Sequence, residues 1–134
     1  MTRYLLDANL VPRFLRDDHP SLSPKAAKLF EGAAAGECTL VLPAVVVAEC
    51  VWVLRSFYDE THARVASVLS ALVSSPGVAA DDPAVTSDAL ERMGRTRLDY
   101  VDCYLAARAA SVDDVVASFD RDFRNDDVRR WTPP

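Results

Sequence analysis

Four short apolar runs, at residues 4–6, 39–42, 78–80 and 115–118, alternate along this chain with helical segments, and that alternation restricts its fold more than any other feature. Tyr4, Leu5 and Leu6 stop at Asp7, and Asn9 offers a cap for a helix over 10–16 with Pro12 in its first turn. Ser23 followed by Pro24 predicts a second helix start, closed by a left-handed Gly36. Pro43 separates the 39–42 run from an apolar helix over 44–56. In the 61–73 segment Val65, Val68, Leu69, Leu72 and Val73 recur at helical spacing. Further helices are predicted over 83–93 and 99–111, with an edge strand at 128–131. Short continuous apolar strands separated by helices belong to a parallel sheet buried on both faces. The expectation is an α/β fold, a three-layer α/β/α sandwich with a short, mainly parallel central sheet, in one domain over 1–134. In such folds ligands bind beyond the carboxyl ends of the strands, where Asp7 and Asp120 fall.

Charge narrows the function classes. Twenty Asp and Glu against 15 Lys and Arg leave a net charge of −5, which excludes a generic basic nucleic-acid coat and confines any such activity to a local site. Half of the residues are apolar, which excludes a disordered chain. Cys38, Cys50 and Cys103 are odd in number and set among apolar residues, which predicts buried free thiols and a cytoplasmic protein. No signal-peptide core precedes Asp7. The longest uncharged stretch, between Glu37 and Glu49, is broken by Pro43 and falls short of the ~20 residues of a membrane span.

The acids carry the chemistry. Glu49 is the only charge between Ala44 and Leu54, and its helical neighbours Val45, Val46, Trp52 and Val53 are all apolar. A carboxylate buried there needs a proton, a partner from elsewhere in the fold or a metal; the alternative is an acid at the solvent-facing rim of the helix. Asp99 and Asp102 share a helical face, Asp99 doubling as a candidate N-cap, while Asp102 lies one turn inside an apolar run with no local cation. Asp120 and Asp122 flank Arg121, either as turn formers after a strand or as site residues. Asp7, Glu49, Asp102 and Asp120 come from two strand ends and two helices that a doubly wound sheet can bring to one crevice. Carboxylates held ~5 Å apart repel by about 3 kcal/mol per pair at an effective dielectric near 20, so such a crevice requires a cation. An all-oxygen donor set, with His19 and His62 outside every acidic motif, favours Mg²⁺ or Mn²⁺ over zinc. Ions of that kind activate water for in-line attack on a phosphodiester.

Asp7-Ala8-Asn9, the lone Glu49, the run from Asp99-Tyr100-Val101-Asp102 to Ala107, and Ser118-Phe119-Asp120-Arg121-Asp122-Phe123 together resemble the PIN domain family over essentially the whole chain. Within the family the chain looks most like the toxin ribonuclease of a VapBC toxin–antitoxin pair. The resemblance implies a metal-dependent endoribonuclease with Asp7, Glu49, Asp102 and Asp120 as catalytic and metal-binding acids. It leaves Asp122 as a substitute for Asp120, and Asp99 as a neighbour of the site. Asn9 and Ser118 match polar positions that would orient the first and fourth acids. Ala8 stands where a hydroxyl is more usual. A homodimer and an antitoxin segment covering the acidic crevice are further implications of the resemblance.

Other chemistries find no support. No Gly-rich phosphate loop, nucleophile elbow or Cys/His pair is present. Arg121 and Arg124 either steer an RNA phosphate or pair with Asp122, Asp126 or Asp127. Trp52 and Trp131 are candidates to stack on bases, but Trp52, set in an apolar helix, reads as core. A receiver-like phosphoacceptor domain is the runner-up, weakened because Lys25 and Lys28 are the only lysines and neither follows a late strand. A catalytically inactive PIN-fold binding module is the third reading, with Ala8 as its best support.

Overall fold

The structure is a computed structural model describing residues 1–120, 127–131 and 133–134. The first strand, β1 (Thr2–Leu5), leads through α1 (Leu10–Arg16) and α2 (Leu22–Ala34) to β2 (Cys38–Leu42). Then α3 (Ala44–Ser56) and α4 (His62–Val73) lead to β3 (Val78–Ala80). The chain continues through α5 (Pro83–Arg95) and α6 (Tyr100–Val112) to β4 (Val115–Ala117) and β5 (Arg129–Trp131). Strands joined through helices run parallel, and every described pairing does: β1 to β2 from Thr2 opposite Cys38, β2 to β3 from Leu40 opposite Val78, and β4 to β5.

The predicted single central sheet is divided. The described strands form a three-stranded sheet in the order β1-β2-β3 and a separate β4-β5 pair. Burial explains the division. β2 is the central strand, with Cys38, Leu40 and Leu42 buried in the main core, whereas all four β1 residues are exposed. β4 buries Val116 instead against Ala106 and Ala109 of α6, where small side chains allow close approach, in a second core that Val128 joins.

Four aspartates take positive φ: Asp17 ends α1, Asp113 ends α6, Asp82 precedes Pro83 at the start of α5, and Asp59 lies between α3 and α4. Asp tolerates this left-handed region better than most residues because its short polar side chain can bond locally. Gly36 takes the left-handed stop expected of it, at φ 80°. The start of α2 differs from expectation. Ser21 is the N-cap position, and the His19 ring Nδ1 accepts from Leu22 N at 2.9 Å. Ser23 is buried one residue inside the helix, its hydroxyl donating to Arg13 O at 2.7 Å and accepting from His19 N at 3.0 Å. An imidazole nitrogen thus satisfies the exposed end of the helix, leaving the serine to join α2 to α1.

The main core gathers Leu40 and Leu42 with Val47, Cys50 and Leu54 of α3, Val65 and Leu69 of α4, and Leu90 and Met93 of α5. All three cysteines are buried and free. No helix among the described residues is long and apolar enough to cross a membrane.

Candidate metal-dependent active site

Asp7 stands in the turn beyond β1, exposed, with its Oδ1 accepting from Asn9 N at 3.4 Å. Its carbonyl accepts from Leu10 N at 3.1 Å and so ties the acid to the start of α1. Asn9 occupies the N-cap position, but its side chain makes no capping bond. The relation between the two residues therefore runs from the Asn9 backbone to the Asp7 carboxylate. Ala8 is buried in the core.

Glu49 corrects the expectation of a buried carboxylate. It is exposed, as are Val45 four residues before it and Trp52 three residues after it, while Val47, Cys50, Val51 and Leu54 take the core. α3 is apolar nearly all round, so its composition could not tell the core face from the open one. The stripe that carries Glu49 is the open one, and Trp52, 55% exposed, is not a core residue.

Asp99 occupies the N-cap position of α6 without capping through its carboxylate, while its carbonyl accepts from Cys103 N at 3.1 Å. Asp102 is half-buried in the first turn. Asp120 lies beyond β4, its backbone N–H donating to the Ser118 hydroxyl at 3.0 Å, so the contact between the two runs through the Asp120 main chain. Asp122, Arg121 and Arg124 lie outside the described residues.

Electrostatics show which acids feel one another. Burial, then Asp99, then Asp120 push the Asp102 carboxyl above its usual range. Burial, then Glu49, then Asp7 push the Cys50 thiol up to about 12. Two groups of acids are coupled in this way, Glu49 and Asp7 each acting on Cys50, and Asp99 and Asp120 each acting on Asp102. Among the described residues no three His, Cys, Asp or Glu side chains stand close enough together to hold a metal ion. The donor chemistry fits a hard divalent ion nonetheless, because both groups consist of carboxylates, and like charge already weighs on Asp102.

A cleft of about 440 Å³ borders the second group, with Asp99 and Asp102 among its walls beside Trp52, Arg55, His62 and Tyr100, and an apolar lining that includes Val51 and Met93. These four residues were not selected from the sequence as a site. Tyr100 lies inside the Asp99–Ala107 run, which gave some signal, but Trp52, Arg55 and His62 belong to segments that meet α6 only in three dimensions.

The sequence pattern of the PIN domain matches residues 4–127. The chain belongs to the PIN domain family. PIN domains are generally nucleases that need divalent metal ions, and the acids beyond β1 and β4, together with those on α3 and α6, lie within the matched span. No curated protein matches the chain.

Proposed function

We propose that this PIN domain is a Mg²⁺- or Mn²⁺-dependent endoribonuclease and the toxin of a VapBC-type pair. The observation that carries the reading is the gathering of like charge: beyond burial, the larger cause, Asp99 and Asp120 raise Asp102, and Glu49 and Asp7 both act on one buried thiol. Like charge gathered on neighbouring carboxylates is the arrangement a divalent ion relieves.

Asp7, Glu49, Asp102 and Asp120 would hold the ion, with Asp99 or Asp122 as additional oxygen donors. The chemistry supplied by such an ion is activation of water and neutralisation of charge on the scissile phosphate. The chain's own residues prepare the site. Asn9 N bonds Asp7 and ties its carboxylate to the first turn of α1, and Ser118 sets the backbone at Asp120. Exposed acids at Asp7, Glu49, Asp99 and Asp120 leave the site open to a large substrate. Arg121 and Arg124 follow Asp120 and would draw the phosphate backbone towards it. The same negative field would attract a basic antitoxin segment, which inhibits by lying over the acids. A homodimer and a cytoplasmic setting belong to this proposal.

Purified protein, free of any partner, is incubated with structured RNA in Mn²⁺ or EDTA beside Asp7→Asn and Asp102→Asn variants. Metal-dependent cleavage in the parent, lost in both variants, is the expected result. Cleavage unaffected by either substitution removes the site assignment, and a stable phosphoenzyme formed from a small phosphodonor replaces the reading with the phosphoacceptor one. Light scattering checks the dimer.

A further inference from the structure

We propose that the cleft between α3 and the N-terminal ends of α4 and α6 is a subsite for one unstacked nucleobase of the RNA substrate, beside the scissile phosphate. The inference rests on the ribonuclease reading and adds to it which part of the RNA is held.

Asp99 and Asp102 line the cleft, so its occupant touches the acid group assigned to the chemistry. Two residues that line the cleft also carry unsatisfied buried polar atoms. Tyr100 lines the cleft and is only 6% exposed, yet its hydroxyl is buried with no hydrogen-bond partner among the described residues. His62 Nδ1, on a second lining residue, is buried and unpartnered among them as well. Buried polar atoms in native proteins are nearly always paired, and an orphaned pair beside a cleft fits a ligand that brings both donors and acceptors. A base edge does so.

Shape and charge agree. Trp52 keeps more than half of its surface exposed and is braced by Phe57, edge to face at a centroid distance of 5.5 Å, as a stacking platform needs. Arg55 donates one N–H to Glu60 O at 2.6 Å, which anchors the guanidinium and leaves its other donors for a phosphate. A volume of about 440 Å³ is far more than an ion requires and falls within the ~300–1,000 Å³ of small-molecule sites. The carboxylate wall disfavours a second anion inside the cleft, so a neutral aromatic group suits the interior and the phosphate belongs at the rim.

The test measures equilibrium binding of a labelled single-stranded oligoribonucleotide by anisotropy, with Ca²⁺ in place of Mn²⁺. The intact oligomer is compared with abasic versions carrying one missing base at each position in turn. The parent should bind at least one abasic oligomer about tenfold more weakly than the intact one, the usual scale of one lost stacking contact. Trp52→Ala should weaken the intact oligomer to the same degree and abolish that discrimination. Tyr100→Phe, which keeps the ring and so the packing, should weaken it several-fold. Equal affinity of the parent for intact and all abasic oligomers overturns the proposal. So does Trp52→Ala that keeps the parent's discrimination, or no binding of the intact oligomer. Base discrimination in binding without cleavage in Mn²⁺ upholds the subsite while removing the nuclease reading. Cleavage of intact and abasic RNA with equal kcat/KM upholds the nuclease and removes the subsite.

Discussion

Arg92 is the one buried arginine among the described residues, and removing it should loosen the C-terminal segment from the rest of the domain. Its side chain, 7% exposed, donates from Nε to Asp88 at 3.1 Å within α5 and makes a two-pronged ion pair with Asp127, just before β5. A charge-assisted hydrogen bond contributes about 1.5–3 kcal/mol when both partners are dry. Here Asp127 is 57% exposed and Asp88 38%, so both carboxylates recover water when the guanidinium is gone, and the three bonds to these two acids alone reduce to a net loss of about 3 kcal/mol for Arg92→Ala. For a chain of this length that is a fall in Tm of roughly 10 °C. Asp127→Asn leaves Arg92 its bond to Asp88 and should lose only about 1 kcal/mol, as for a half-exposed pair. The Arg92 hydrogen bond holds the Asp127 carboxyl below its usual range. A carboxyl depressed in the folded state stabilises the protein fully above its unfolded value near 4, and that contribution is lost as pH falls through the folded value. The gap in Tm between parent and Asp127→Asn should therefore be constant from pH 7 down to about 5 and close below about 4. Thermal melts across that pH range, with hydrogen exchange at β5, measure both effects. An Arg92→Ala change in Tm under about 2 °C, or a gap for Asp127→Asn that widens in acid, would refute this reasoning.

Gly77 and Gly36 separate two origins of glycine dependence. Both take φ near 80°, but a Cβ on Gly77 would stand 2.4 Å from Ala33 O, whereas one on Gly36 meets open space. Gly36→Ala should lose about 1 kcal/mol of unfolding free energy from backbone strain alone, and Gly77→Ala at least twice that, as read by urea titration. Asp102→Asn should abolish metal-dependent cleavage and raise Tm at pH 7. Its carboxyl is pushed up in the folded state, so the ionised form opposes folding above that folded value and the variant's advantage shrinks as pH falls towards the unfolded one. Cys50 and Cys103, both wholly buried and with their thiols pushed up, should resist a thiol reagent at pH 8 in the native state and react in denaturant.

Element order was legible in the chain because it depends on local patterns. Apolar runs of three or four residues between helical periods predicted β1 to β4, their parallel direction and the helices between them. The Asp99–Ala107 run and the acids beyond β1 and β4 marked the family. Asp99 is also where two local readings competed, and the fold left its carboxylate free of capping. Glu49, Trp52 and Arg92 show where local pattern stops. In α3 nearly every side chain is apolar, so no periodicity distinguishes the face that meets Leu40 and Leu42 from the face that carries Glu49 and Trp52 into solvent. Arg92 has the hydropathy of a surface residue and is buried because Asp127, 35 residues away, reaches it. The division of the strands into two sheets and the cleft shared by Trp52, His62 and Tyr100 were likewise decided only by tertiary structure. Periodicity reports the direction in which a side chain leaves its own helix or strand, whereas burial, charge coupling and a cavity depend on which other element stands opposite.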